Sequence, residues 1–232
     1  MDKGSVPVFD DAGINIFDPH DSAGRKTAYI SLLQLDAIRS VLGRTGGVAV
    51  DVGCGYGRMT ARLAELGFDS LVGIDPSQRV IEAARALFPT PDFRVGALPD
   101  LPLEHGSVSC AFLLNVMRSL HLMGVAGIAE SVARYVEPGG HVVVIDNLRR
   151  GDARYMREED LTGIFARGGL ELASRRAIRG ARWPWIYLVR YGLIPTSAFP
   201  MLSRLERRLM ERFAGPFSWQ YANYLWVFTK RS

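Results

Sequence analysis

The segment Val48-Ala-Val-Asp51-Val-Gly53-Cys54-Gly55-Tyr56-Gly57-Arg58 constrains this chain more than any other. An apolar run carries a carboxylate near its end, and glycines then stand at three alternate positions. Met59, Leu63 and Leu66 follow at helical spacing, so the loop opens directly into a helix. Glycine permits backbone angles that a Cβ atom forbids, and it lets a ligand approach the main chain. Twenty-four residues after Asp51, a second apolar run, Leu71-Val-Gly-Ile-Asp75, also ends in an acid. An acid at the end of a second strand is placed to hold two ribose hydroxyls. These features together describe a nucleoside-cofactor site.

The spacing narrows the cofactor. Dinucleotide folds usually carry G-x-G-x-x-G, whose free helix amides face a pyrophosphate. Here the run is D-x-G-x-G-x-G, and Arg58 stands where that fingerprint needs its third glycine. Asp51 also puts negative charge beside the loop, which suits a cationic ligand better than a pyrophosphate. A dinucleotide or other nucleotide site is the alternative reading of the loop. The arrangement resembles motif I of class I S-adenosylmethionine-dependent methyltransferases of the small-molecule type. Asp75 resembles their ribose-binding acid, and Val136-Glu-Pro-Gly-Gly140 before a strand fits the same pattern. The resemblance spans residues 48–178 and is patchier outside them.

The resemblance implies an α/β, Rossmann-like fold: a doubly wound, mostly parallel, seven-stranded sheet with helices on both faces. It also implies S-adenosylmethionine as the cofactor. By the same resemblance, Gly53, Cys54 and Gly55 wrap the amino-acid part of the cofactor, with Asp51 near its ammonium. Asp75 binds the ribose, Pro76 flanks the adenine, and Arg25 and Tyr29 are candidates to close over the carboxylate. The alternative for that pair is a capped surface helix. The run Val95-Gly96-Ala97-Leu98-Pro99-Asp100-Leu101-Pro102-Leu103 is similar to the family's G-D-A-x-x-L-P-F pattern, but Ala97 replaces the acid that accepts from the adenine amino group. The amide of Leu98 is left to meet the adenine, at the loss of one hydrogen bond worth about 0.5–1.5 kcal/mol. Open α/β sheets bind ligands beyond their strand carboxyl ends, which exposes Asn115 and Asp146. Asn115 is placed with the cofactor and Asp146 with the chemistry.

The base is less constrained. His121 follows the fourth strand and is one candidate, with a structural histidine as its other reading. His20, in Phe17-Asp-Pro-His20, is a second, on a segment able to fold over the site. Relatives carry His-His where this chain has Arg118-Ser119, so the family's base does not transfer.

Composition sets the class. A chain of 232 residues, 48% hydrophobic, suits one α/β domain over residues 1–232. Alternating apolar runs and amphipathic stretches give a helix over 22–42, a strand–helix–strand unit over 48–74, a helix over 78–87 and strands over 92–95, 107–114 and 141–145. Further helices are expected over 125–135 and 158–166, with a closing strand pair over 170–178 and 219–229. Two cysteines, Cys54 and Cys110, make no disulfide framework and suit a reducing compartment. Cys54 reads as a backbone contact or, alternatively, a reactive thiol. The first eleven residues lack the basic-then-apolar layout of a signal peptide, and no apolar run reaches the about 20 residues that span a bilayer. A cytoplasmic location is expected.

Residues 180–215 depart from a minimal fold of this type, as a helical insertion forming a lid or cap before the last strand. From Ser174 onward there are eleven Lys/Arg against two Asp/Glu, a balance of +9 in a chain whose total is +4. Leu202, Leu205, Leu209 and Phe213 share one face of the expected helix over 200–213. Three readings stand. The segment is a packed lid with solvated arginines, or a substrate cap in which Trp183, Trp185 and Tyr187 line an apolar pocket. Or it is a surface resting on anionic lipid. The expected partner is a small-molecule acceptor, apolar, anionic or lipid-linked. Nucleic acid is disfavoured: the base-amine motif, the Pro-Cys nucleophile and any recognition module are missing, and the positive excess is confined to the C-terminal part from Ser174 onward. The oligomeric state is not encoded in any feature found.

Overall fold

The structure, a computed structural model, describes residues 21, 23–122, 127–149, 151–153, 155–180, 185–213 and 221–231. His20 and Trp183 lie outside these residues. Seven strands form one sheet: β1 (Val48–Val52), β2 (Ser70–Asp75), β3 (Asp92–Val95), β4 (Val108–Leu114), β5 (Val136–Arg149), β6 (Leu170–Gly180) and β7 (Tyr221–Lys230). Their spatial order is β3-β2-β1-β4-β5-β7-β6. Strands β3 to β5 pair in parallel, whereas β7 is antiparallel to both β5 and β6. The doubly wound sheet and the helical insertion before its last strand are as expected from the sequence.

Helices cover both faces because central parallel strands are apolar on both sides. On one face, α5 (Ile128–Tyr135) and α6 (Glu158–Arg167) bury Ile128, Val132, Leu161 and Phe165 against β4, β5 and β7. On the other, α1 (Arg25–Leu42) and α2 (Arg58–Leu63) bury Tyr29, Leu33, Ile38, Met59 and Leu63. The short α3 (Gln78–Leu87) packs at the β2–β3 edge through Ile81 and Ala84 and is capped by Ser77, whose Oγ accepts from Val80 N at 3.4 Å. A further short helix, α4 (Met117–Leu122), starts just beyond the end of β4.

The insertion folds as α7 (Trp185–Arg190) and α8 (Phe199–Phe213), both packed on α1, with α8 also against β6. Its anchor is polar. The fully buried Tyr29 hydroxyl donates to Glu206 Oε2 at 2.6 Å, and Trp185 Nε1 donates to the same oxygen at 2.9 Å. Ser203 Oγ donates to Asp36 Oδ2 at 2.8 Å, and Arg207 donates to the Asp36 carbonyl at 3.0 Å. Burial raises the Glu206 carboxyl above its ordinary range, against the hydrogen bonds from Tyr29 and Trp185.

These bonds set the orientation of α8. Spacing puts Leu202, Leu205, Leu209 and Phe213 on one face, and of these Leu202 packs partly buried against the core. The structure turns the helix so that Ser203, Glu206 and Met210 face inward and Leu205 is 49% exposed. On the α1 side, Tyr29 and Asp36 meet Glu206, Ser203 and Arg207, although Glu206 Oε1 and Arg207 Nε stay buried without partners.

Replacing Tyr29 with Phe is expected to lower unfolding free energy by about 1–3 kcal/mol, because Glu206 loses a buried donor. Urea denaturation of Tyr29→Phe beside Tyr29→Phe/Glu206→Leu checks this. A double variant no more stable than the single would contradict the account.

Candidate active site

Strands β1 and β2 end level with one another, Val52 opposite Ile74. The glycine loop crosses from β1 over the end of β2. Gly53 N and Cys54 N both donate to Ile74 O, at 2.7 and 3.0 Å. Gly55 N donates to Asp75 Oδ2 at 3.0 Å, while Ser77 N donates to Oδ1 at 3.0 Å. The loop therefore fixes the carboxylate expected to hold the ribose. Its turn needs left-handed backbone at Gly53, Gly55 and Gly57, with φ of 77°, 55° and 77°. A Cβ on Gly53 would stand 2.5 Å from Val116 Cγ1, so the loop presses against the residue that follows Asn115.

Asp51 lies beneath this loop, 2% exposed, with Oδ2 accepting from Thr60 Oγ1 at 2.7 Å. Burial raises its pKa to about 6, opposed by the Thr60 hydrogen bond and the charge of Arg58. Arg58 donates to Ser31 Oγ on α1; burial lowers its pKa to about 10, so it stays charged at neutral pH. Sequence reading used Arg58 only to exclude a dinucleotide. Its position beside Asp51, and the parts played by Ser31 and Thr60, follow from how α1 and α2 cross the sheet.

Asn115 begins the turn after β4. It is the non-glycine residue with positive φ among the described residues, at 61°, and its amide donates to Ile145 O at 2.6 Å. Asparagine tolerates this conformation better than most residues, and such outliers gather at functional sites. Its Oδ1 is buried with no hydrogen-bond partner. A buried oxygen left without a donor costs free energy unless something supplies one.

Other candidates fall differently. Arg25 donates to the Val189 and Ile194 carbonyls, at 3.3 and 2.7 Å, tying α1 to the insertion. Tyr29 is a core residue bound to Glu206. The expectation that this pair closes over a cofactor carboxylate is therefore corrected: both side chains serve the α1–α7–α8 contact, and Arg58 is the cation beside the loop. Asp146 is 6% exposed and accepts from Met117 N at 2.9 Å, Arg118 N at 3.4 Å and Asn147 N at 2.6 Å. It caps α4, and burial raises its pKa to about 6 against those three amides. With its oxygens committed to the backbone, Asp146 positions α4 instead of standing open as a base. His121 is exposed on the last turn of α4. It is not brought to Asp146 by any hydrogen bond.

Pro76 is exposed beside Asp75, and Ala97 is exposed next to half-buried Leu98. Their loop is pinned by Tyr135, whose hydroxyl accepts from Leu101 N at 2.8 Å and donates to Pro99 O at 3.1 Å. Cys54 is buried, and burial with the nearby Asp51 and Asp75 pushes its thiol well above the ordinary range, which disfavours the thiolate. Beyond the end of β4, β5 and β7 continue together, and Asn147 pairs with Asn223. Asn223 Nδ2 donates to Asn147 Oδ1 at 3.2 Å. Arg118 lies over the Tyr155 ring, 5.1 Å from its centroid, on the same side of the strand ends. A separate recess of about 480 Å³ between α6 and β6 opens at the opposite end of the sheet, near Leu170 and Arg231.

Comparison with known proteins agrees with this geometry. Residues 50–144 match the family model described as a methyltransferase domain. An uncharacterized methyltransferase of Mycobacterium tuberculosis is 31% identical over 126 residues, 54% of this chain and 49% of that protein. The chain thus spans about half the length of the mycobacterial relatives it matches. A ubiquinone biosynthesis O-methyltransferase of Ralstonia nicotianae is 26% identical over 205 residues, 76% of this chain and 84% of that one. Among solved structures, Haemonchus contortus phosphoethanolamine N-methyltransferase 2 in complex with S-adenosyl-L-methionine superposes with a TM-score of 0.65 at 15% identity. That alignment covers 99% of this chain and 60% of the other.

The raised pKa of Asp51 carries a stability signature. The folded protein holds this proton more tightly than the unfolded chain, where aspartate titrates near 3.8. The stabilising contribution of protonated Asp51 is full below pH 3.8 and is lost as pH rises through about 6. Urea titrations from pH 4 to 7 should show wild type losing about 2 kcal/mol relative to Asp51→Asn across that window. A difference that stays flat, or rises with pH, would contradict the buried environment described.

Proposed function

We propose that this chain, whose residues 50–144 match the methyltransferase-domain family model, is a class I S-adenosylmethionine-dependent methyltransferase that methylates an oxygen or nitrogen of a small-molecule or lipid-linked metabolite. The observation that carries the proposal is the buried, unpartnered Oδ1 of Asn115, the residue preceding Val116, whose side chain lies against Gly53 of the glycine loop. A site that fits the cofactor needs a hydrogen-bond acceptor there for an ammonium or another polar N–H or O–H. It also needs a carboxylate for the ribose, and Asp75 is already oriented by two amides. Gly53, Cys54 and Gly55 would hold the amino-acid part, Asp51 and Arg58 would complement its two charges, and Pro76, Ala97 and Leu98 would border the adenine.

When bound, S-adenosylmethionine supplies an activated sulfonium methyl group. The chain's own contribution is alignment and exclusion of water. Asp146 holds the start of α4, which sets Met117 and Arg118 beside the strand ends. Asn147 and Asn223 give the neighbouring wall a polar rim for an acceptor. An amine acceptor needs only to arrive uncharged, and a hydroxyl needs its proton taken up by solvent or by a group such as His121 or His20. The O-methyltransferase and the N-methyltransferase among the similar proteins support both acceptor atoms.

A second reading, a protein that binds cofactor or lipid without catalysis, is favoured by Ala97 and by Arg118-Ser119 in place of the family's histidine pair. Incubation with methyl-labelled cofactor and a metabolite extract separates the two readings. Label entering a small molecule supports catalysis, whereas cofactor binding with no transfer supports the second. Asp75→Ala is expected to weaken S-adenosylhomocysteine binding by at least about 1.5 kcal/mol, roughly tenfold, through loss of charge-assisted hydrogen bonds. Calorimetry showing undiminished affinity would remove Asp75 from the site. NAD should bind far more weakly than S-adenosylhomocysteine in the same experiment.

A further inference from the structure

We propose that the outward surface of α7 and α8 is a docking face for an anionic lipid bilayer. The inference extends the reading of the acceptor as small or lipid-linked, but it is tested by binding alone. Exposed large hydrophobic side chains are unevenly spread among the described residues. Leu87, Val95 and Leu172 are scattered, whereas Tyr187, Leu188, Tyr191, Leu193, Met201 and Leu205 fall within one short span. Tyr191, Leu193 and Met201 are 68%, 70% and 65% exposed. Single exposed apolar residues are ordinary, but a concentration of them marks an interaction surface.

Local structure accounts for part of this pattern and not the rest. Helix α7 ends in a Schellman turn: Gly192 has φ of 76°, Gly192 N donates to Val189 O, and Leu193 N donates to Leu188 O. Such a turn usually brings an apolar pair together, here Leu188 and Leu193. Both are nevertheless exposed, so the turn presents them to the surroundings instead of covering them.

Charge decides what the face fits. Met201, Arg204, Leu205, Arg208 and Arg212 recur at helical spacing on the outer side of α8, opposite buried Ser203, Glu206 and Met210. Residues 185–213 contain five arginines and two glutamates. Glu206 is buried, and Glu211 pairs with Arg176 at 3.3 Å. The exposed face is therefore positive. Tyrosines, leucines and arginines together suit a bilayer interface, where rings and alkyl groups enter the headgroup layer and guanidiniums meet anionic lipid. A two-fold contact with a second copy would set like charges against each other. The hydrogen bonds from Tyr29, Trp185, Ser203 and Arg25 hold this face on the body of the fold as a rigid platform.

The test is flotation of the full chain with vesicles of phosphatidylcholine alone, or with about 30 mol% phosphatidylglycerol. Binding is expected only to the anionic vesicles, and about 0.5 M salt should weaken it strongly. Arg204→Gln/Arg208→Gln and Tyr191→Ser/Leu193→Ser should each reduce bound protein at least about fivefold. Thermal melting and S-adenosylhomocysteine affinity should be unchanged, since these side chains are exposed. Absence of binding to anionic vesicles, or binding indifferent to both variants, overturns the proposal. So does a dimer in light scattering that Tyr191→Ser/Leu193→Ser abolishes, because the face is then a self-interface. Vesicle binding without methyl transfer would sink the catalytic reading and leave this one standing; transfer without vesicle binding would do the reverse.

Discussion

The site depends on one junction between two parallel strands. The carbonyl of Ile74 receives two amides from the glycine loop, and the Asp75 carboxylate receives a third from Gly55 and a fourth from Ser77. Through these bonds the turn after β1 and the acid ending β2 become one unit. Backbone groups on an irregular turn are costly to bury unless they are paired. Here the same pairing that satisfies the turn also orients the Asp75 carboxylate. The three left-handed glycines make that path sterically available.

Around this junction the protein places charge at unequal cost. Asp51, Arg58 and Asp146 all lie in surroundings that disfavour their charged forms. Each has polar partners: Thr60 for Asp51, Ser31 for Arg58 and three backbone amides for Asp146. Asn115 differs, because its backbone is in an uncommon conformation and its side-chain oxygen is buried without a donor. Asn115 Oδ1 shares its lack of a hydrogen-bond partner with Gln34 Oε1, Glu206 Oε1, Arg190 Nε and Arg207 Nε among the described residues, but it alone of these stands in the turn after β4.

The insertion follows a different logic. Its helices are joined to α1 by a shared carboxylate, Glu206, instead of by an apolar seam alone. That choice commits polar residues to the inside of α8 and leaves Met201 and Leu205 outside, among arginines. Phe199 and Met210 are buried beside those polar residues, so the inner side of α8 is mixed and its outer side carries both apolar and charged groups.

The sequence by itself determined the parts governed by local chemistry. Glycine spacing fixed the loop, alternation of apolar runs fixed the strand and helix order, and the acid ending β2 was legible because it follows an apolar run at a set distance. The closing strand pair was expected from the family resemblance, and the segment interrupting it stood out by the charge and aromatic content of residues 180–215. What only the tertiary structure decided was pairing between residues far apart in the chain. Arg25 and Tyr29 read as ligand contacts until the α7–α8 packing gave them Val189, Ile194 and Glu206 as partners. Asp146 read as a base until α4 placed two amides on it beside that of Asn147, and the buried side of α8 meets Tyr29 and Asp36, over 160 residues away. Periodicity reports which side chains share a face, but the energy of burying a polar group depends on the partner that meets it, and that partner exists only once the chain has folded.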